Sequence, residues 1–213
     1  MRVTVFSESP ADEAAVRILA DAVLGRETTT PEPFHLRSRG WPSVRGILPA
    51  VIKHLHYQTD VAGLVVVVDS DESTVHTAAH EALPGGAADC RLCQLRGVVE
   101  RTQNTLSEVP NRLELKVAVG VAVPAVEAWY AWGTIPHVNE AAWTRRLGGE
   151  QIPYDKRSLK QSVYGTIRPS ITLETTHAVA AARRLAGDIP GLERDFPGGF
   201  GALARELRSW REG

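Results

Sequence analysis

The sequence predicts an α/β fold, a mostly parallel sheet flanked by helices, with a helical C-terminal decoration. Three observations carry that expectation. Gly63 to Val68 is an apolar run without polar alternation, as in a strand covered on both faces. Strand-like and helix-like segments alternate through residues 1–135, the order that builds parallel sheets. Residues 136–213 lack strand patterning and instead hold basic helical pieces and loops such as Pro197-Gly198-Gly199.

Residues 2–7 read as the first strand. Ser9-Pro10 follows as an N-cap with proline at the first helical position. Ala15, Ile18, Leu19, Ala22 and Val23 then fall on one helical stripe, and Gly25 is a natural stop. Residues 26–33 read as a loop, Phe34 to Arg37 as a second strand, and Pro42 to Leu55 as a helix that Pro49 kinks or breaks. After the valine run, residues 74–82 read as helix, Pro84 to Asp89 as loop and Leu95 to Leu106 as helix. Val117 to Val123 reads as the last strand, with a helix starting at Val126.

The chain has 213 residues, enough for one domain or one domain with a small appendage. The expected division is a core over 1–135, with a metal-binding insert over 74–95, and an extension over 136–213 packed on it. About 43% of residues are apolar, yet no stretch approaches the roughly 18–20 apolar residues of a membrane span. Met1-Arg2 leads straight into Val3-Thr4-Val5-Phe6 with no signal-peptide pattern, so the expected compartment is the cytoplasm. The net charge is −1, so attraction to nucleic acid would have to come from local patches. Arg145, Arg146, Lys156, Arg157, Lys160 and Arg168 supply the candidates. Lys156 and Lys160, four apart, share a helix face and can support a phosphoryl transition state, although a solvated helix face produces the same pattern.

In open α/β sheets, ligands bind beyond the carboxyl ends of the strands. Acids collect there: Glu8 after the first strand with Asp12 and Glu13 next to it, Asp69 and Asp71 after the valine run, and Glu127 after the last strand. Asp69 and Asp71 alternate by two, so an extended chain points both the same way. Clustered carboxylates repel unless a cation neutralises them or their pKa values rise. Oxygen ligands suit Mg²⁺ or Mn²⁺, and a metal so held can stabilise phosphoryl charge and activate water. Acids at helix N-termini also favour the helix dipole, which by itself accounts for Asp12, Glu13 and Glu72.

These segments resemble a family. Val-Phe-Ser-Glu-Ser-Pro-Ala-Asp-Glu (residues 5–13) with Val-Val-Val-Val-Asp-Ser-Asp (65–71) is similar to the TOPRIM domain of topoisomerases, primases and OLD-type nucleases. The resemblance implies an acid–base or metal role for Glu8, metal ligation by Asp69 and Asp71, and a further acid at Asp12. Residues 122–132, with Glu127-Ala128-Trp129, resemble a strand-to-helix segment of small stand-alone TOPRIM-like proteins. Residues 155–160 and 196–207 are similar to the tail of those proteins. Some are encoded beside OLD- or ABC-type ATPases and act in phage defence. The resemblance therefore implies a Mg²⁺- or Mn²⁺-dependent nuclease acting on DNA or RNA with a partner ATPase, since this chain has no Walker-A pattern of its own. Family members usually carry glycine after the glutamate, where this chain has Ser9.

A non-catalytic interaction or effector subunit of a defence complex is the second expectation, and a phosphatase or nucleotidyl transferase the third. Convergence of Glu8, Asp69 and Asp71 favours catalysis, whereas an acid locked on a buried arginine weakens it.

His76-x3-His80-x9-Cys90-x2-Cys93 predicts a second site. Cys-x2-Cys has knuckle spacing, and His-x3-His sets two imidazoles on one helix face. Four nitrogen and sulfur ligands make a closed structural zinc site. The chain's two cysteines both lie here. Two buried thiols with solvent-facing histidines, or a redox pair, fit the same spacing.

Overall fold

A computed structural model describes residues 1–29 and 40–211. The elements run in order: β1 (Val3–Phe6), α1 (Pro10–Leu24), α2 (Gly40–Gln58), β2 (Gly63–Asp69), α3 (Ala78–Glu81), α4 (Arg91–Gln103) and β3 (Lys116–Ala122). The helices α5 (Val126–Ala131), α6 (Glu140–Leu147), α7 (Lys156–Tyr164), α8 (Ile171–Leu185), α9 (Ile189–Asp195) and α10 (Phe200–Ser209) follow.

The described strands form one sheet in the order β1-β2-β3, all parallel. Val3 pairs with Gly63 and Phe6 with Val66, while Gly63 pairs with Lys116 and Asp69 with Ala122. All carboxyl ends therefore point the same way. The strand expected over Phe34 to Arg37 lies outside the described residues.

The valine run is buried on both faces, and its alternation divides the core. Val65 and Val67 join one apolar cluster with Val3, Leu19, Val23, Trp129, Leu185, Leu203 and Trp210. Leu64, Val66 and Val68 join another with Phe6, Leu48, Ile52, Leu92 and Leu95. Thus α1 and α10 cover one face of the sheet, with α8 packed against α1, and α2 and α4 cover the other. Side chains that alternate along a strand explain why no polar residue is tolerated there.

Ser9 caps α1 by accepting the Asp12 N–H at 3.2 Å, Pro10 opens the helix, and Gly25 closes it in the left-handed conformation at φ 65. The helix expected to kink or break at Pro49 is not broken there: α2 runs from Gly40 to Gln58. Val44, Leu48, Val51, Ile52 and Leu55 are buried along it, and docking this stripe outweighs the ~3 kcal/mol of an internal proline. The helix expected over 74–82 shrinks to α3. Val75 and His76 are instead buried in non-helical chain, where Gly198 packs so closely that a Cβ on it would lie 2.1 Å from the His76 carbonyl oxygen. Among the described residues, no helix is long and apolar enough to cross a membrane.

Candidate functional site

Beyond the carboxyl ends of the strands, Glu8, Asp12, Asp69, Asp71 and Glu127 converge with Lys156 and Lys160. Asp69 is the last residue of β2 and the centre of the group. Its backbone N–H donates to Glu8 Oε1 at 3.1 Å, and its Oδ1 accepts the Val126 N–H at 3.1 Å. Lys156 Nζ lies 3.0 Å from Asp69 Oδ2 and also contacts Asp71 Oδ1. One turn further along α7, Lys160 Nζ lies 3.5 Å from Glu127 Oε1. The shared helix face expected for the two lysines thus points at the acids, with both side chains still partly exposed.

Asp69 and Asp71 do not converge by extension of the strand. Asp71 lies beyond β2 in the left-handed region at φ 50, an uncommon place for a residue other than glycine. Its N–H donates to the Pro124 carbonyl at 2.9 Å and its carbonyl accepts Trp143 Nε1–H at 3.3 Å. These bonds fix the turn that brings the second aspartate back beside the first.

Burial, then the Asp69 charge, pushes Glu8 up to about 7. The same pair of causes pushes Asp12 up to about 8, against the Ser9 hydroxyl, 2.8 Å away. Burial also raises Asp69 and Glu127. Asp71 behaves oppositely. Burial acts to raise it, but the Lys156 and Arg91 contacts outweigh that and hold it below the usual carboxylate range. Lys156 is itself raised, since the charges of the two aspartates overcome its burial. The pocket therefore holds more acid than its own cations neutralise, and it meets the excess by favouring protons on Glu8, Asp12, Asp69 and Glu127.

Sequence reasoning missed Arg91 and two tyrosines. Arg91 Nη1 pairs with Asp71 Oδ2 at 2.7 Å and donates to the Asp69 carbonyl at 2.6 Å. Buried Tyr130 donates to Asp12 Oδ1 at 3.3 Å, and buried Tyr164 is raised by its own burial and then by Glu127 and Asp12. The only sequence signal for Arg91 was its place inside the Cys-x2-Cys spacing. Among the other basic candidates, Arg145 pairs with Glu150, Arg146 pairs with Glu72 and lies over the Trp143 ring, and Arg157 and Arg168 are exposed. Ser9 is extended at φ −143, a conformation that does not require the family's glycine.

The second site forms beside the first. One ligand atom from each of His76, His80, Cys90 and Cys93 lies within 4.8 Å of all the others, a set that can hold a metal such as zinc. His76 Nδ1 is 3.6 Å from Cys90 Sγ and 3.5 Å from Cys93 Sγ. A tetrahedral zinc at ordinary bond lengths sets sulfur and nitrogen roughly 3.5–3.6 Å apart. His80 Nδ1 is buried with no hydrogen-bond partner. Gly86, at φ 73, admits the Cys93 thiol closely: a Cβ there would lie 2.8 Å from Cys93 Sγ. The two histidines do not share a helix as expected, because His76 precedes α3 and only His80 lies in it.

Burial keeps His76 below its ordinary pKa, hence neutral, and pushes the Cys90 thiol up to about 11. A thiolate there needs a cation beside it. The other His76 nitrogen faces Glu81 Oε1 at 3.4 Å. Glu81 is held by Arg96 at 3.2 Å, Arg96 pairs with Glu206 at 2.7 Å, and Glu206 Oε2 accepts the Val119 N–H of β3 at 2.7 Å. A carboxylate behind a ligating imidazole fixes its tautomer and strengthens it as a ligand.

No family model matches the chain, and no curated protein or solved structure gives a significant match. The reading of both sites stands on their chemistry.

Proposed function

We propose that the chain is a TOPRIM-like, divalent-metal-dependent phosphodiesterase that cuts DNA or RNA, working with a partner ATPase in a defence system. The observation that carries this reading is the convergence of Glu8, Asp69, Asp71 and Glu127 around a cationic group, Lys156, at the carboxyl ends of parallel strands. The donor set is all oxygen and short of positive charge, which suits Mg²⁺ or Mn²⁺. A bound cation would supply Lewis acidity and lower the pKa of water. Asp69, Asp71 and Glu127 would hold it, with Lys160, 3.5 Å from Glu127, offsetting part of the acid charge. Glu8, at about 7, has the proton affinity of a general base near neutral pH. Lys156 supplies a fixed positive charge where phosphate charge develops. The His/Cys cluster is read as a separate structural zinc centre, since thiolates are poor ligands for Mg²⁺.

A second reading rests on a specific contact. Asp71 is paired with both Lys156 and the largely buried Arg91, which favours a non-catalytic effector subunit that keeps the fold and the zinc centre. Incubation of supercoiled plasmid, single-stranded DNA and total RNA with Mg²⁺ or Mn²⁺ separates the two readings. Metal-dependent cutting that disappears in Asp69→Ala supports the nuclease and names its polymer. No cutting by wild type, with or without a partner ATPase, supports the effector.

A further inference from the structure

One short stretch of chain joins the two sites. Asp69 and Asp71 stand at the end of β2, and His76 follows on the same loop. Across from it, Cys90 and Cys93 bracket Arg91, the first residue of α4. Three ties hold these segments together. Arg91 reaches the Asp69 carbonyl at 2.6 Å and Asp71 Oδ2 at 2.7 Å, with its guanidinium carbon 5.0 Å over the Trp41 ring. The Thr74 hydroxyl bonds the Asp89 carboxylate. His76 meets the two thiols. A small cavity lined by Ser70, Thr74, His76, Cys90 and Arg91 lies between the two sites.

We infer that the metal-loaded His/Cys centre positions the carboxylate site, with Arg91 as the positioning residue. This rests on reading both groups as cation sites. Coordinate bonds from His76, Cys90 and Cys93 staple the loop after β2 to the first turn of α4. Arg91 then leaves a backbone fixed on both sides by ligands, so its guanidinium has one place to go. There it engages Asp71 Oδ2 and leaves Oδ1 facing the pocket. Without metal, the ligands keep only weak sulfur–nitrogen contacts, and the left-handed turn at Asp71 loses the share of its support that Arg91 adds to the Pro124 and Trp143 bonds.

The test uses the full chain labelled with ¹⁵N. Zinc is removed with a soft-metal chelator and restored with Zn²⁺ alone, while circular dichroism follows the fold. Two indole N–H resonances are read: Trp143, bonded to the Asp71 carbonyl, and Trp41, beneath Arg91. Trp→Phe variants assign them, and Mn²⁺ alone is titrated as a second readout. Zinc removal is expected to shift both resonances and to weaken Mn²⁺ binding roughly tenfold. Zinc-loaded Arg91→Ala should lose as much Mn²⁺ affinity with its zinc content intact, Arg91→Lys should recover part, and zinc removal from Arg91→Ala should add little. Unmoved resonances in a folded zinc-free chain, or losses that simply multiply, would overturn the inference. If the zinc-free chain unfolds, the Arg91→Ala arm decides, and unchanged Mn²⁺ affinity and resonances there overturn it. Resonances that move in a chain that never binds Mn²⁺ uphold the link and remove the divalent reading of the acids. Failure to bind Zn²⁺ overturns both the link and the centre.

Discussion

The carboxylate pocket and the His/Cys centre lie on either side of one loop, and they meet the cost of burial in opposite ways. The pocket carries its own cations. Lys156 spans Asp69 and Asp71, Lys160 answers Glu127, Arg91 answers Asp71, and raised proton affinities absorb the remaining charge. The centre is provided for differently. Two buried thiols, a neutral buried histidine and an unpartnered His80 nitrogen converge, and the cation beside them, Arg96, lies 3.5 Å from the outer His76 nitrogen and is itself paired with Glu81 and Glu206. A site with internal counter-ions can stand empty or exchange a cation, whereas buried thiols without them favour a permanent occupant. On the proposed function, the pocket would take an exchangeable metal and the His/Cys centre a structural one.

The largest expected effect breaks the centre. Cys90→Ser should abolish zinc retention and cost roughly 4 kcal/mol of stability, on the order of 10 °C in melting temperature. Calorimetry with metal analysis checks it. A variant that melts with wild type would make the centre a pair of ordinary buried thiols.

The next effect is in the pocket, and its sign is set by pH. Asp12 has an ordinary value of 3.8 and sits at about 8 in the fold, while Glu8 moves from 4.5 to about 7. The folded state therefore holds protons that the unfolded state releases, and stability falls as pH rises from about 4 to about 8. Each such buried group contributes up to about 1.4 kcal/mol per pH unit within that window. Urea unfolding at pH 5.5, 7 and 8.5 should record the fall. Asp12→Asn should flatten it, and saturating Mn²⁺ should flatten it in wild type. A stability that rises with pH would mean that the acids are satisfied without protons or metal.

Lys156→Gln sharpens the comparison further. It should cost about 1–2 kcal/mol at neutral pH without divalent metal. Mn²⁺ should return that stability and bind more tightly than in wild type, because the competing ammonium is gone. Calorimetric titration reads both effects. Smallest is Glu81→Gln, behind His76. It should weaken zinc roughly tenfold in a competition assay and leave the fold unchanged.

Much of this architecture is legible from local pattern. The valine run, the Ser9-Pro10 cap and the Gly25 stop are decided by neighbouring residues, and the structure has them where the pattern puts them. The acids could be gathered because strand ends place them before any side chain is considered. What escaped depended on distant chain. Pro49 failed to break α2 because a buried stripe holds the helix on both sides of it. The helix expected over 74–82 gave way to burial of Val75 and His76 beneath Gly198. Arg91 and the Glu81–Arg96–Glu206 relay join residues far apart in sequence; beyond Arg91's place inside the Cys-x2-Cys spacing, no local pattern marks them.

The most direct test of two cation sites with opposite chemistry is metal partition. Wild type, Asp69→Asn and Cys90→Ser are dialysed against Zn²⁺ and excess Mn²⁺ together, and bound metals are counted by elemental analysis. Wild type should hold zinc and manganese at once, Asp69→Asn should keep zinc and lose manganese, and Cys90→Ser should lose zinc and keep manganese when it is supplied well above its Kd. Loss of both metals from Asp69→Asn, or manganese binding indifferent to Asp69, would contradict it.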